Sequence, residues 1–275
     1  MQETIGNKKS SAISAMFNSI AGEYDFLNHL LSLGTDKRWR SRSAKYLQKR
    51  LITSCTEGAS EEKRGKVETN VSEGRQVGRR ALLDLACGTG DSCIALWKHG
   101  FEVTGADISE GMLRIAKEKN KRLKGRANRK EVSEPPKYVI GNAENLDFKE
   151  NSFDAVTIFF GIRNFDKRER CLKEIYRVTK KGGMLAIVEF AKPRNKIVKF
   201  LYNIYFNFVM PIIGRLFSKN GSAYRYLAKS VEEFPKYEEF CSELSKAGFK
   251  EIEYLPYTFG IAVMYTGIKP EQSAT

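Results

Sequence analysis

This sequence of 275 residues contains very little histidine and no closely paired cysteines. His29 and His99 are its two histidines, and its five cysteines include no C-x-x-C pair. Zinc sites in proteins are built mainly from these two residue types, so we expect no metal site here. Because the number of cysteines is odd and the amino terminus carries no apolar signal segment, we expect reduced thiols and a cytoplasmic location.

Long apolar runs and the common phosphate-binding loop are also missing. No uncharged stretch reaches the roughly 20 residues that a membrane-spanning helix needs. No G-x-x-x-x-G-K-[ST] loop is present, which argues against the P-loop nucleotide-binding class. Acidic residues are outnumbered, with 33 against 47 basic residues and a net charge of +14. This excess predicts either a solvated basic surface or a partner rich in phosphate, such as nucleic acid or an anionic membrane.

Apolar segments that alternate with amphipathic helices predict the fold class. Helices are predicted after the first, second and fourth of the first five apolar segments, and this alternation of strands and helices is typical of a doubly wound parallel sheet in an α/β protein. The last two segments follow one another closely and predict a hairpin. The predicted strands are Ala81–Ala86, Phe101–Ala106, Tyr138–Ile140, Phe153–Phe160, Met184–Phe190, Ile252–Tyr257 and Ile261–Ile268.

We expect one domain over residues 1–275, opened by a helical segment at 14–51. Two polar stretches, 53–80 and 124–136, are predicted to be insertions. A further excursion at 195–230 contains an uncharged, aromatic helix, which either packs on the sheet or forms a lid for an apolar substrate. The residues predicted to line this lid are Phe200, Tyr205 and Phe208, closed by Tyr224, Arg225 and Tyr226.

A glycine-rich turn after the first strand is the strongest functional signal. Gly88 and Gly90 bracket Thr89, so that backbone can approach a ligand closely. Asp107 ends the second strand, where the ribose hydroxyls of a bound nucleoside lie. Two acidic residues flank the turn, Asp84 and Asp91. They disfavour a pyrophosphate and suit a cationic ligand such as S-adenosylmethionine, which carries a sulfonium, an ammonium and a ribose.

The run D-L-A-C-G-T-G-D resembles the first motif of the Rossmann-like S-adenosylmethionine-dependent methyltransferases. Further segments make the chain similar to the menaquinone and ubiquinone biosynthesis C-methyltransferases. These segments are Phe17–Asn28, Leu33–Trp39, Asn142–Glu144, Phe160–Asn164, Glu189–Pro193 and Ser222–Ala228. The resemblance implies a class I fold, whose seven-stranded, mostly parallel sheet has one antiparallel strand. It also implies methylation of a prenylated hydroquinone ring carbon: demethylmenaquinol to menaquinol, or alternatively the methoxy-polyprenyl-benzoquinol step of ubiquinone synthesis.

The resemblance places S-adenosylmethionine contacts on Thr89, Asp107, Asn142 and Ala143. The residues themselves add the turn glycines and Asp84 as predicted cofactor-binding groups. Many members of the family carry a serine where this chain has Phe159. Because a phenyl ring cannot donate a hydrogen bond, this position departs from the family as a polar contact.

Four residues are predicted to act on the quinol. Arg163 either stabilises the developing negative oxygen or forms a fixed ion pair at the edge of the fourth strand. Asn164 is predicted to hold the ring oxygen. Tyr24 would cover the ring and Asp25 would act as a base through water, although both residues are equally compatible with local helix packing. The expected partners are the quinol and, transiently, an anionic inner membrane face, while a homodimer is left open.

Two alternatives belong to other functional classes. A nucleic-acid methyltransferase would suit the charge, but amino-directed enzymes carry [ND]-P-P-[YF] where this chain has Phe160–Asn164. Base-carbon enzymes use a Pro-Cys pair, which the sequence lacks. A non-enzymatic binding protein that keeps the fold is disfavoured because Thr89 and Asp107 are both present. We therefore expect no nucleic-acid partner.

Overall fold

The structure is a computed structural model. It describes residues 34–57, 80–124, 134–205, 229–235 and 237–271, with side chains omitted at 52–57 and 124. Single positions outside these ranges are also described: Ala15, Asn18, Ala21, Asp25, His29, Ser32 and Phe208. Tyr24, most of the first predicted insertion and residues Tyr224, Arg225 and Tyr226 lie outside the described part.

Seven strands form one sheet in the order β3-β2-β1-β4-β5-β7-β6. The strands are β1 Ala81–Leu85, β2 Glu102–Asp107, β3 Lys137–Ile140, β4 Phe153–Phe159, β5 Thr179–Phe190, β6 Lys250–Tyr257 and β7 Ala262–Ile268. All pairs among β1 to β5 are parallel. β7 runs antiparallel to both β5 and β6, so the predicted α/β fold with one reversed strand is confirmed.

Helices cover both faces of the sheet. They are α1 Thr35–Glu57, α2 Asp91–Lys98, α3 Glu110–Lys124, α4 Arg168–Val178, α5 Lys196–Ile204 and α6 Tyr237–Lys246. One buried cluster joins α1, α2 and α3 to the sheet, and a second joins α4 and α6 to the other face. Two neighbouring residues of β1 belong to different clusters: Leu82 lies in the first and Leu83 in the second. β1 is therefore covered on both sides, as its continuous apolar run predicts.

Three local predictions were wrong. The predicted end of the fourth unit, Gly182 and Gly183, lies inside β5, which begins at Thr179 and changes register against β4. The capping box at Asp166 does not form, because α4 begins at Arg168 and Glu169 pairs with Lys173 at 2.7 Å. α1 also continues to Glu57, within the stretch predicted to be a polar insertion.

Candidate functional site

A cleft that is open to solvent lies at the carboxyl ends of β1, β2, β3 and β4. The chain places β2 and β3 on one side of β1 and then β4 and β5 on the other, so the direction of winding reverses between β1 and β4. Doubly wound sheets bind ligands at such a reversal. The cleft is lined by Leu85, Ala86, Gly88, Asp107, Ile108, Met112, Gly141, Asn142, Ala143, Glu144, Phe160, Gly161, Asn164, Phe165, Asp166 and Cys171. Five of the predicted site residues are among them: Gly88, Asp107, Asn142, Ala143 and Asn164.

The turn after β1 has the backbone conformation that its glycines suggest. Gly88 and Gly90 have φ values of 56° and 84°, in the left-handed region that favours glycine. A Cβ on Gly90 would lie 2.3 Å from the hydroxyl oxygen of Tyr138. Both the backbone angle and this buried ring therefore demand glycine at position 90, which lies just below the cleft.

Asp107 links the end of β2 to the turn. Its Oδ2 accepts the backbone N–H of Gly88 at 2.8 Å, and its Oδ1 accepts that of Ser109 at 2.8 Å. Burial raises the pKa of this carboxyl, while the backbone N–H groups of Ser109, Gly88 and Ile108 oppose the rise. A carboxylate has about four lone-pair sites, so Asp107 keeps acceptor capacity towards the cleft for hydroxyl groups.

Asp84 lies beneath the turn and is fully buried. Its carboxylate accepts hydrogen bonds from Ser92 Oγ at 2.5 Å and Thr157 Oγ1 at 2.7 Å, and from the Cys93 thiol at 3.2 Å. Burial raises its pKa, and these three donors oppose the rise. Asp84 is not among the cleft-lining residues, and its bonds tie β1 to β4 and α2. We therefore assign it to supporting the turn rather than to direct ligand contact.

Asn142 and Ala143 form the wall of the cleft beyond β3. The Asn142 side-chain oxygen accepts the backbone N–H of Glu144 at 2.9 Å, which fixes a tight turn. With that oxygen engaged, the side-chain N–H groups of Asn142 are the donors that remain. A planar heterocycle beside this wall would meet amide groups at its edge, as expected for an adenine.

Arg163 is held behind the cleft, on the short 3-10 helix Ile162–Asn164 that follows β4. Its Nη1 lies 2.7 Å from Glu189 Oε1 and also donates to the carbonyl oxygen of Phe160, a cleft residue. Its Nε donates to Ser230 Oγ at 3.3 Å. Burial raises the pKa of Glu189, and the Arg163 guanidinium opposes that rise. The ion pair weighed from the sequence is present, and it fixes the guanidinium next to Asn164.

Asp25 and Thr89 are brought together although 64 positions separate them. The Thr89 hydroxyl donates to Asp25 Oδ1, and Thr89 is nearly fully buried. Neither residue is among those lining the cleft, and Tyr24 lies outside the described residues. The predicted site therefore divides into cleft residues and a polar group that adjoins the glycine turn.

Two lining residues that the sequence analysis missed have unusual backbone angles. Ala86 and Phe160 follow β1 and β4 directly, and their φ values are 51° and 60°. A Cβ on Gly161 would lie 2.6 Å from the Cβ of Ala86, so the two strand ends pass very close to each other. Phe159 instead belongs to the core cluster beneath α1 and is not among the cleft residues. The sequence signal for this shape was the pair Phe160-Gly161 immediately after a buried strand.

The cleft has the groups that a nucleoside needs. A carboxylate at the tip of β2 suits ribose hydroxyls, an amide wall suits a base, and the backbone at Gly88 borders the space between them. Within the described part of the chain, no cluster of His, Cys, Asp and Glu side chains has the composition of a metal site.

Known proteins of two kinds resemble this chain. The demethylmenaquinone methyltransferase of Chlorobaculum tepidum is 40% identical over 266 residues, which cover 96% of this chain and 95% of that protein. The protein of the same name from Staphylococcus haemolyticus is 36% identical, over 98% of this chain and 99% of its own. A solved SAM-dependent methyltransferase from Thermotoga maritima, described as a possible histamine N-methyltransferase, shares the fold with a TM-score of 0.56 and 21% identity, covering 93% and 98% of the two chains.

A family model provides the broadest match. The model of the ubiE/COQ5 methyltransferase family matches residues 4–269, which include the glycine turn, the cleft and the Arg163–Glu189 pair. The chain therefore belongs to the ubiE/COQ5 methyltransferase family.

Proposed function

We propose that this enzyme transfers the methyl group of S-adenosylmethionine to a ring carbon of demethylmenaquinol, giving menaquinol. The observation that carries the proposal is the cleft at the strand ends, which is lined by Asp107, Asn142 and Asn164 and backed by the Arg163–Glu189 pair. Relatives with the name demethylmenaquinone methyltransferase match nearly the whole chain at 35–40% identity. S-adenosylmethionine, when bound, supplies a methyl group that its positive sulfur has already activated.

The residues of the cleft divide the work of binding. Asp107 accepts hydrogen bonds from ribose hydroxyls, and Asn142 with the backbone at Ala143 bonds the edge of the adenine. Gly88 and Gly90 allow the methionine part to lie against the backbone, next to Thr89. Because the methyl donor is already reactive, catalysis here rests mainly on alignment of the reacting atoms.

The acceptor ring must become rich in electrons. Asn164 holds the quinol oxygen as negative charge develops there. Arg163 does not line the cleft; held by Glu189, it bonds the Phe160 carbonyl and so fixes the backbone next to Asn164. Asp25, acting through water, takes up the proton that the ring hydroxyl loses. After methylation, the proton on the methylated ring carbon moves to the ring oxygen, which restores the hydroquinol. Tyr24 covers the ring.

Chemistry at a nucleic-acid base gains no support from the cleft. One cysteine, Cys171, is among the residues that line the cleft. Burial raises the pKa of its thiol to about 12. A thiol of this kind stays protonated near neutral pH and is a poor nucleophile.

We further propose that the enzyme works at an anionic membrane surface on the cytoplasmic side, where a prenylated quinol resides. α5 presents four apolar side chains at helical spacing: Ile197, Phe200, Leu201 and Ile204. Together with Phe208, these side chains are 40–73% exposed. Exposed lysines, Lys196 and Lys199, flank this face. Among the helices described, none is long and apolar enough to cross a membrane.

The direct test is methylation of defined quinols. Purified enzyme with S-adenosylmethionine and demethylmenaquinol in detergent should give a product heavier by one methylene unit. A methoxy-polyprenyl-benzoquinol, assayed in parallel, should react much more slowly. Normal menaquinone in a strain that lacks the gene, with demethylmenaquinone absent, would contradict the proposal.

Size-exclusion chromatography of the same enzyme decides whether it is the homodimer that the sequence left open.

A further inference from the structure

Lys119, near the end of α3, has an ammonium group that contacts three separate parts of the chain. Its Nζ lies 2.6 Å from Asp25 Oδ2, 2.5 Å from Asp91 Oδ1 and 3.1 Å from Thr89 Oγ1. All three partners are oxygen acceptors, which matches the three N–H bonds that an ammonium donates. The side chain is only 23% exposed, unlike that of Lys121 on the same helix, which is 72% exposed.

The contacts of Lys119 continue into a longer chain of polar groups. Asp91 Oδ2 lies 3.3 Å from His29 Nε2, and His29 Nδ1 lies 2.9 Å from Asp36 Oδ2. Burial alone would raise the pKa of Asp36, but Arg40, Ser32 and His29 outweigh it and hold the pKa below its ordinary value. Asp25 and His29 belong to the helical segment predicted at 14–51, and they thus reach the glycine turn and α1.

A third residue of that segment contacts the opposite end of α3. Asn18 Oδ1 accepts the Ser109 hydroxyl at 2.6 Å and the backbone N–H of Gly111 at 3.0 Å. Asn18, Asp25 and His29 all contact the domain through polar groups. Lys119 provides the cation between the carboxylates of Asp25 and Asp91, which would otherwise repel each other.

We propose that Lys119 is a positioning residue for methyl transfer, which acts by fixing Asp25 against Thr89 of the glycine turn. The proposal rests on the proposed function, because that function gives Asp25 and Thr89 their roles. Lys119 does not line the cleft, so it contacts neither the acceptor ring nor the nucleoside. Its contribution is geometric, because it holds Asp25 against the glycine turn, which lies more than sixty positions later in the sequence.

A double-mutant cycle tests this coupling. Lys119→Met should weaken binding of S-adenosylhomocysteine about tenfold, and Asp25→Asn/Lys119→Met should be no worse than the poorer single variant. Turnover should fall by about 100-fold in Lys119→Met, because small displacements of reacting groups are costly, while the KM for the quinol changes less. Lys119→Arg keeps the charge and should recover most of both losses. Lys121→Met removes an exposed pair with Glu118 on the same helix and is the matched control.

Two outcomes would overturn the proposal. One is a Lys119→Met enzyme whose kcat and cofactor affinity match those of Lys121→Met. The other is a double variant whose losses multiply, which would mean that Lys119 acts independently of Asp25. If the wild-type enzyme methylates no quinol, the proposed function fails, and the titrations with S-adenosylhomocysteine then decide the role of Lys119 alone.

Discussion

The guanidinium of Arg163 and the carboxylate of Glu189 are 2.7 Å apart, with 7% and 0% of their side chains exposed. The pair joins the 3-10 helix after β4 to the end of β5. Removal of one partner would leave a buried charge without compensation, which is costlier than the pair's own net contribution. Arg163 also donates to the carbonyl of Phe160, so the pair fixes the backbone of a cleft residue as well as its own side chain.

Arg163→Lys should therefore lower turnover about 100-fold while leaving cofactor affinity nearly unchanged, since lysine keeps the charge but not the planar set of donors. Steady-state kinetics and calorimetry with S-adenosylhomocysteine measure the two effects. Arg168→Lys, which alters a part-exposed pair with Glu243, is the control. Equal losses of affinity and turnover would make Arg163 a cofactor or packing residue.

Asp107→Ala should leave a folded protein with much weaker cofactor binding. The substitution removes an acceptor for the ribose and also the bonds to Gly88 and Ser109. Charge-assisted hydrogen bonds of this kind contribute about 1.5–3 kcal/mol each. Circular dichroism checks the fold, and calorimetry with S-adenosylhomocysteine checks the affinity. Unchanged affinity in the folded variant would exclude Asp107 from the binding site.

Cofactor binding should also weaken in mild acid. Because burial raises the pKa of Asp107, its carboxylate takes up a proton at a higher pH than an ordinary aspartate does. Protonation removes acceptor capacity, so affinity should decline as the pH is lowered, beginning at a higher pH than an ordinary aspartate would give. Titrations over a series of pH values compare the wild type with Asp107→Asn, in which the dependence should be much flatter. An equally steep decline in that variant would assign the effect to another group.

Gly90→Ala should destabilise the protein more than Gly100→Ala does. Both glycines have positive φ, 84° and 89°, so both substitutions meet the same backbone penalty of about 1–2 kcal/mol. A Cβ at position 100 meets no atom within 4 Å, whereas one at position 90 meets the buried Tyr138 hydroxyl. Urea unfolding measures the difference. Similar losses would mean that Tyr138 moves aside at little cost.

Membrane attachment should depend on the apolar face of α5. Phe200 is 64% exposed, which disfavours the interpretation that it packs in the core. Phe200→Ser should reduce flotation with anionic liposomes about tenfold or more, because a buried aromatic side chain contributes roughly 1.5–3 kcal/mol. Ile140→Ser removes an apolar side chain of similar exposure, 60%, on β3 and should float like the wild type. Flotation should also fade as salt rises, and its absence at low salt would refute the attachment.

The sheet was predictable from the sequence because its strands are continuous apolar runs. Leu82, Leu83 and Leu85 do not alternate with polar residues that face water, and this pattern identifies β1 as a strand buried on both faces. The cleft residues Gly88 and Asp107 followed from their positions at strand ends. Helix starts were less predictable: Ser109 caps α3 by accepting the N–H of Met112, but Asp166 does not cap α4.

Contacts between distant side chains were not predictable. Nothing near Lys119 in the sequence distinguishes it from Lys117 or Lys121, and only the folded chain brings Asp25 to it. Asp84 illustrates the opposite error. Its place beside the glycine turn suggested a ligand contact, but the direction in which a strand side chain points depends on packing, and here it points to Ser92 and Thr157.

The position of β7 affects how this protein can be synthesised. β7 is the seventh strand in chain order, yet it lies inside the sheet, between β5 and β6. While the ribosome is still making residues 262–268, the apolar β5 has one edge without a partner. Unpaired strand edges attract other chains, so a nascent protein stalled before β7 would be prone to aggregate. The edge of β5 is therefore protected only after residues 262–268 have been made.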